Sequence, residues 1–282
     1  MVIGGLPLRT GLDALWAATR ARLTIVSRYP GQLGMEIFVP VVMAAMPILL
    51  GRATGGARAA EYFAANTGTP NYVAYMLLGS SVYTLVTNAF WHLAWWVRWE
   101  QQTGTLEALY LTPTPSLWIA AGTALYSFLR SLITATLAYI LGSLLFGTSP
   151  LQGQVGLAYL FVVVGLIPLY GMALLFGALV LRVKQANALI SLMQWGVSFL
   201  MGVYFPVHFL PPLLRALALA FPPTWMTNGA RAAILGVGYF LGTWYRDLAV
   251  LWAFMLAAPW LGWEVFRRTE DRLRRHQGLG HF

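Results

Sequence analysis

The residues that could carry covalent chemistry are few in this chain of 282 residues, and they form no catalytic pattern. No cysteine is present, which excludes thiolate chemistry and cysteine-based zinc sites. The only lysine is Lys184, and no GxxxxGK(S/T) sequence occurs, so the chain lacks the loop with which P-loop ATPases bind nucleotide phosphates. The 4 histidines are scattered without metal-ligand spacing, and no HExxH or GxSxG sequence occurs. The sequence therefore predicts no catalytic residue and no metal site.

Arg130 is the charged residue that needs an explanation, because it falls near the middle of an apolar run. A charge at that depth is costly and by default marks a functional hypothesis. Two interpretations stay open: Arg130 attracts an anionic group of a substrate, or it caps backbone carbonyls of a neighbouring helix or snorkels to the interface. We expect no carboxylate at matching depth, and we expect Glu36 to pair with an interfacial arginine. Asn88 and Gln194 are further candidates for lining a substrate path or joining helices by hydrogen bonds.

The composition assigns the chain to the membrane class. Hydrophobic residues make up 59% of it and charged residues only 10%, whereas a soluble domain carries about 25% charged residues. The formal net charge of +9 is by itself compatible with a nucleic acid or a membrane surface. The charges cluster between apolar runs, and no segment forms a basic face on a soluble fold, so we expect a lipid bilayer and no nucleic acid as partner.

Six apolar runs are long enough to cross a bilayer, for which a helix needs about 20 mostly apolar residues. They predict an all-α integral membrane protein with a single transmembrane domain over residues 1–282. The predicted spans are residues 34–50, 72–97, 117–146, 155–181, 188–207 and 248–266.

The segment between the last two runs, residues 208–245, is also apolar but is interrupted by prolines and glycines. Non-helical backbone at membrane depth is tolerated only where protein or a water-filled cavity surrounds it. We therefore expect short re-entrant helices that dip into the outer leaflet. The interrupting prolines are Pro211, Pro212, Pro222 and Pro223.

Basic residues near the ends of the runs predict the orientation. They are concentrated before the first run, at Arg98, at residues 182–184 and in the polar tail at residues 267–282. This richer side is predicted to be cytoplasmic, with both termini inside and the protein in the inner (plasma) membrane. The amphipathic spacing of residues 8–30 predicts a helix that lies in the cytoplasmic interface. No cleavable signal is expected, because an arginine-bearing stretch precedes the first long run.

The segment at residues 98–115, RWEQQTGTLEALYLTPTP, connects the second and third runs on the predicted cytoplasmic side. Thr105 can cap a short helix with Glu107 in its first turn. Leu106 and Leu109 give that helix an apolar face, and a proline-containing stretch ends it. Two interpretations stay open from spacing alone: a docking contact for another protein, or an ordinary interfacial loop.

This same segment resembles the inner segment of the permease subunits of type-2 ABC exporters. Their pattern is similar to E-R-x-x-G-T-L-E-x-L-x-x-T-P. This chain departs from it at Gln101, where the family usually has arginine. The matching residues are Glu100, Gly104, Thr105, Leu106, Glu107, Leu109, Thr112 and Pro113.

A second stretch, within residues 202–236, resembles the same family. The family often has Y/F-F-P, then L-P, then a further proline and an arginine. The residues that fill these positions are Tyr204, Phe205, Pro206, Leu210, Pro211, Pro222 and Arg231. The two stretches come in the right order with six runs around them, so the resemblance covers nearly the whole chain.

The resemblance implies a transport subunit without catalysis of its own. Two cytoplasmic ABC ATPase subunits would bind the ATP and Mg²⁺, and a second permease, identical or related, would complete the complex. The segment around Glu100 to Leu111 would be the coupling helix. Residues 8–30 would be the connecting helix, and the proline-rich segment the re-entrant outer helices. The substrate would be exported by alternating access, along a path for which Arg130, Asn88 and Gln194 are candidate lining residues. An apolar and aromatic lining favours an amphipathic or lipid-linked molecule, and polysaccharides stay open because the family also includes polysaccharide exporters.

Two other classes of function fit the sequence less well than the exporter does. A membrane-embedded lipid-modifying enzyme needs a polar catalytic cluster at the interface, and the sequence offers none. An ion-gradient-driven secondary transporter needs intramembrane carboxylates or discontinuous spans in matching halves, which are missing. The exporter is therefore the preferred hypothesis.

Overall fold

Helices make up nearly all regular structure in the computed structural model of the chain. The model describes the backbone of residues 2–3, 6–28, 30–102, 116–180 and 186–276, and the side chains of most of these. A two-residue antiparallel strand pair, β1 (Val2–Ile3) and β2 (Leu6–Pro7), precedes the first helix. The helices are α1 (Leu8–Ser27), α2 (Pro30–Gly55), α3 (Ala59–Thr67), α4 (Tyr72–Gln102), α5 (Ser116–Phe146), α6 (Val155–Val180), α7 (Ala186–Leu200), α8 (Pro212–Leu219), α9 (Pro222–Leu235) and α10 (Trp244–His276).

Five of the described helices are long and apolar enough to cross a membrane. This confirms the predicted all-α membrane fold. The candidate spans are Gly31–Gly55 in α2, Tyr72–Phe90 in α4, Gly122–Phe146 in α5, Val155–Leu179 in α6 and Trp244–Thr269 in α10. Helix α7 has 15 described residues, and residues 181–185 before it lie outside the described part.

The end of α7 differs from the predicted fifth span, residues 188–207. The helix ends at Leu200 because Gly202 adopts a φ of +59°, a left-handed conformation that stops an α-helix. Pro206 then takes an extended conformation before a 3-10 turn at Val207–Phe209. The proline-rich segment beyond it forms two short helices, α8 and α9, in place of a span.

Helix α4 lies at the centre of the molecule. Its span is 94% buried, whereas the spans of α2 and α10 are each 22% buried. Leu85 and Val86 of α4 pack in one cluster with Leu166 of α6, Met201 after α7 and Met226 of α9. Among the described helices, α2, α5, α6, α7 and α9 pack against α4, so a movement of α4 must displace these neighbours.

Helix α1 packs across the beginning of α5. The Thr19 hydroxyl lies 3.0 Å from the Gly122 carbonyl oxygen and 2.9 Å from that of Leu15 in its own helix. A methyl group added at Gly122 would overlap the backbone of Leu15 and the side chain of Ala18. Helix α1 thus lies directly against α5 at Gly122.

Candidate functional site

Arg130 of α5 forms a bidentate ion pair with Glu36 of α2. Its Nη2 lies 2.6 Å from Oε1 and its Nε lies 3.0 Å from Oε2 of the carboxylate. The Arg130 Nη1 group also donates a hydrogen bond of 2.7 Å to the Tyr126 hydroxyl oxygen, one turn earlier on α5. The side chain of Arg130 is 6% exposed and that of Glu36 is 20% exposed. The pair therefore lies almost entirely within the protein.

This geometry corrects the expectation that no carboxylate lies at the depth of Arg130. Counting from the start of each predicted span placed Glu36 near the interface and Arg130 near the centre. Helix α5 has 31 residues, more than the about 20 that cross a bilayer, and α1 packs against it at Gly122. Arg130 lies about two turns after that contact, so it is nearer to the α1 side of the membrane than the middle of the run suggested. Glu36 does pair with an arginine, but that arginine is Arg130.

The ion pair changes what Arg130 can do chemically. Both oxygens of the carboxylate are engaged, and the two charges cancel at short range. A bidentate arginine–carboxylate pair is a strong and directional contact. In this structure Arg130 thus joins α2 to α5, and an anionic group would have to displace Glu36 to bind it.

Arg231 of α9 is buried in a different way, with backbone carbonyls as its partners. Its Nε donates to the Tyr75 carbonyl oxygen at 3.2 Å, and its Nη1 donates to the Gly202 carbonyl oxygen at 2.9 Å. Its Nη2 donates to the carbonyl oxygen of Val203. The guanidinium carbon also lies 3.6 Å from the centre of the Tyr75 ring, within cation–π range. We call this arrangement the Arg231 junction: Tyr75, Gly79, Gly202, Val203 and Arg231.

Gly79 makes room for the Arg231 junction. It lies one turn after Tyr75 on α4, and a methyl group added there would overlap both the Arg231 guanidinium and the Val203 carbonyl. A further contact joins the same elements, because the Thr224 hydroxyl lies 3.3 Å from the Leu200 carbonyl oxygen at the end of α7. Side chains of α9 thus satisfy carbonyls that the end of a helix leaves without partners.

The prolines of the predicted re-entrant segment lie where helices begin. Pro206 precedes the 3-10 turn, Pro211 is the residue before α8, and Pro222 is the first residue of α9. Proline suits the first turn of a helix, where its missing N–H has no partner to lose.

The loop between α9 and α10 is held by Asp247 of α10. Its carboxylate accepts hydrogen bonds from the N–H groups of residues 240 and 241 at 2.9 and 2.8 Å.

Asn88 and Gln194, the other predicted path residues, lie on α4 and α7 and are each half-buried. The Tyr83 hydroxyl of α4 donates a hydrogen bond of 3.1 Å to the Gln194 backbone carbonyl. This contact joins the two helices through the backbone of α7, without the Gln194 side chain. Their role on a substrate path stays a prediction.

The predicted coupling residues fall at the edge of the described structure. Glu100 lies in the last turn of α4, and its side chain is outside the described part, as are Gly104, Thr105, Leu106, Glu107 and Leu109 altogether. The structure does give the two elements that flank them. Helix α4 ends at Gln102 and α5 begins at Ser116, and both continue without a break into membrane spans.

Fold and buried groups together define a polytopic helical membrane protein. Within its described residues, no three His, Asp or Glu side chains come close enough to hold a metal ion. The chain belongs to the ABC-2 type transporter family, whose model matches residues 13–235. A comparison with curated proteins finds no match. Family membership makes the chain the membrane subunit of an ABC-2 transporter, a transport subunit that works with an ABC ATPase.

Proposed function

We propose that this subunit exports an amphipathic or lipid-linked substrate from the cytoplasm or the inner leaflet by ATP-driven alternating access. The family match over residues 13–235 carries the proposal, because it includes both the coupling segment and the Arg231 junction. The protein sits in the inner (plasma) membrane with both termini in the cytoplasm.

The charge distribution supports the orientation. Helix α1 exposes Leu12 and Trp16 beside Arg20, an arrangement that suits a helix lying in a lipid interface with its cations towards headgroups. Helix α10 carries Arg267 and Arg268 at the end of its candidate span. Basic residues at membrane-proximal ends mark the cytoplasmic side.

The exposed apolar faces support a second permease copy or a related chain. Met35 and Met46 of α2 and Trp195 of α7 are at least two-thirds exposed in the single chain. Side chains of this kind need lipid or another protein around them. In the proposed complex, a permease pair encloses the substrate path and each permease receives one ATPase.

The substrate class follows from the kind of side chain that is left uncovered. Arg130 is paired with Glu36, so it does not support a fixed anionic site for the substrate. The uncovered side chains of α2 and α7 are apolar and aromatic. Such surfaces suit an amphipathic molecule whose apolar part stays in contact with the protein or the bilayer.

Helices α4 and α5 suit the transmission of movement from the ATPases. The partner ATPases bind ATP and Mg²⁺ and come together. Their movement tilts the segment at residues 103–115, which connects α4 to α5 in the chain. Because α2, α5, α6, α7 and α9 pack against α4, its tilt shifts these helices and opens the permease interface outward.

A double substitution in the coupling segment tests the proposal. E107A/L109A removes a carboxylate and an apolar contact from the surface proposed to meet the ATPase. We expect loss of transport in reconstituted vesicles while the co-purified ATPase still hydrolyses ATP. The matched control is L151A, at an exposed leucine between α5 and α6 on the opposite side of the membrane. Transport by the chain without any ATPase, or unchanged transport by E107A/L109A, contradicts the proposal.

A further inference from the structure

Helix α4 connects the coupling segment to the Arg231 junction without interruption. It contains 31 residues, and at 1.5 Å per residue it is about 46 Å long. One end, at Gln102, adjoins the first residue of the segment at 103–115. The other end carries Tyr75 and Gly79, which belong to the junction. A rigid helix of this length delivers a tilt at one end as a displacement at the other.

The junction joins three separate elements at one side chain. Tyr75 belongs to α4, Gly202 and Val203 follow α7, and Arg231 belongs to α9. A residue that served only as a cap for α7 would need no contact with α4. Arg231 has two such contacts, the hydrogen bond to the Tyr75 carbonyl and the cation–π contact with its ring.

The burial of Arg231 makes it costly for α4, α9 and the backbone after α7 to slide past one another. The residue is 2% exposed, and its partners among the described residues are carbonyl oxygens and an aromatic face rather than a carboxylate. Hydrogen bonds from a charged donor are stronger than neutral ones. Losing one of them would leave a donor of a buried charged group without its acceptor, which costs more than shifting an apolar contact. The three elements are therefore held to move together.

We infer that Arg231 is the positioning residue that transmits the movement of the coupling segment, through α4, to the outer ends of the permease. This inference rests on the proposed function. When the coupling segment tilts, α4 carries Tyr75 with it. Arg231 then moves α9 and the backbone after α7 in the same step, so that the outer side opens as one unit.

Distance measurements between paired spin labels test the inference in the complex with its ATPase. The chain has no native cysteine, so introduced cysteines give no background labelling. An outer pair, T54C with L213C, reports on α8 relative to the outer end of α2, a helix that contributes no residue to the junction. An inner pair, W16C with R268C, reports on α1 relative to the end of α10. All four positions are exposed.

We expect Mg-ATP with vanadate to change both distances in the wild-type complex. In R231Q the inner distance and the ATPase rate should still respond, while the change in the outer distance is lost. R231K keeps the charge but not the planar fork, and should show a reduced outer change with the inner change intact. A residue that only stabilised the fold would affect both pairs together. The matched control R215Q alters an exposed arginine on α8 and should behave as wild type.

The two possible failures are distinguishable. A wild-type outer response in R231Q overturns the inference alone; if R231Q does not fold, a full wild-type outer response in R231K overturns it instead. A wild-type complex in which ATP moves neither pair contradicts the proposed function, and the inference falls with it.

Discussion

At the scale of residues, Arg130 and Arg231 show two ways in which a membrane protein can bury a guanidinium. Arg130 has a carboxylate partner, so its ion pair is neutral as a whole. Arg231 keeps its charge and distributes it over three carbonyl dipoles and an aromatic ring. The first arrangement joins two helices side by side. The second fixes the end of one helix to the side of another.

Removing either member of the Glu36–Arg130 pair should destabilise the protein more than removing both. E36Q or R130Q leaves one buried charge without its partner, which costs about 3 kcal/mol when a pair is well buried. The double variant E36M/R130M leaves no charge behind and should recover most of the lost stability. The measurement is the Tm of the detergent-solubilised protein for the two single variants and the double variant.

The control for this comparison is R58Q, at an exposed arginine before α3. Transport distinguishes the two interpretations of Arg130. If Arg130 is structural, E36M/R130M should transport at the wild-type rate per folded complex. A stable double variant without transport, beside an active R58Q, would instead assign Arg130 to the substrate.

The sequence can mark a buried charge, but it can identify the partners of that charge only where they are close in the chain. The apolar run around Arg130 was enough to mark it as unusual, but which carboxylate lies beside it depends on how α2 packs against α5, a tertiary contact. Arg231 was found through its motif. Its partners Gly202 and Val203 lie 28 to 29 residues away in the chain, and no local pattern shows that they meet.

At the scale of elements, the most buried span is not the most hydrophobic one. The span of α4 is the least hydrophobic of the five candidates, yet it is 94% buried. Its hydroxyl groups explain the difference, because Ser80, Thr84 and Thr87 each hydrogen-bond a carbonyl oxygen of α4 itself. Hydropathy thus indicated membrane-spanning helices but could not show which one lies at the centre.

The contact between α6 and α10 depends on glycine in both helices. A methyl group added at Gly262 would overlap the Gly171 carbonyl, and one at Gly171 would overlap the backbone around Ala258. Small residues let helix backbones approach closely in membranes. Since the neighbouring atoms here are backbone, they have little freedom to move aside.

We therefore expect G262A to destabilise the protein by about 1–3 kcal/mol, the usual cost of inserting atoms into a packed interface. The check is a lower Tm than that of wild type in detergent. G196A is the matched control, because Gly196 is also helical and has nothing within 4 Å of an added methyl group. A G262A variant as stable as G196A would show that the two helices can separate without cost.

At the scale of the whole molecule, one hydrogen bond relates the loop between α5 and α6 to the start of α4. The Asn71 side-chain N–H donates to the Gln152 side-chain oxygen at 3.3 Å. Leu151 is next to Gln152 and is 79% exposed. A label at Leu151 therefore reports which side of the membrane holds the start of α4, and with it the Arg231 junction.

Labelling of single cysteines should place Leu151 outside and Arg268 inside. The physical reason is the concentration of basic residues at α1 and at the end of α10, which are retained on the cytoplasmic side. A membrane-impermeant maleimide should modify L151C in intact cells, and R268C only after permeabilisation. Because the chain has no cysteine of its own, the wild type serves as the unlabelled control. Labelling of R268C in intact cells would show that the molecule has the opposite orientation in the membrane. The Arg231 junction would then lie on the ATPase side, where it could not transmit movement across the bilayer.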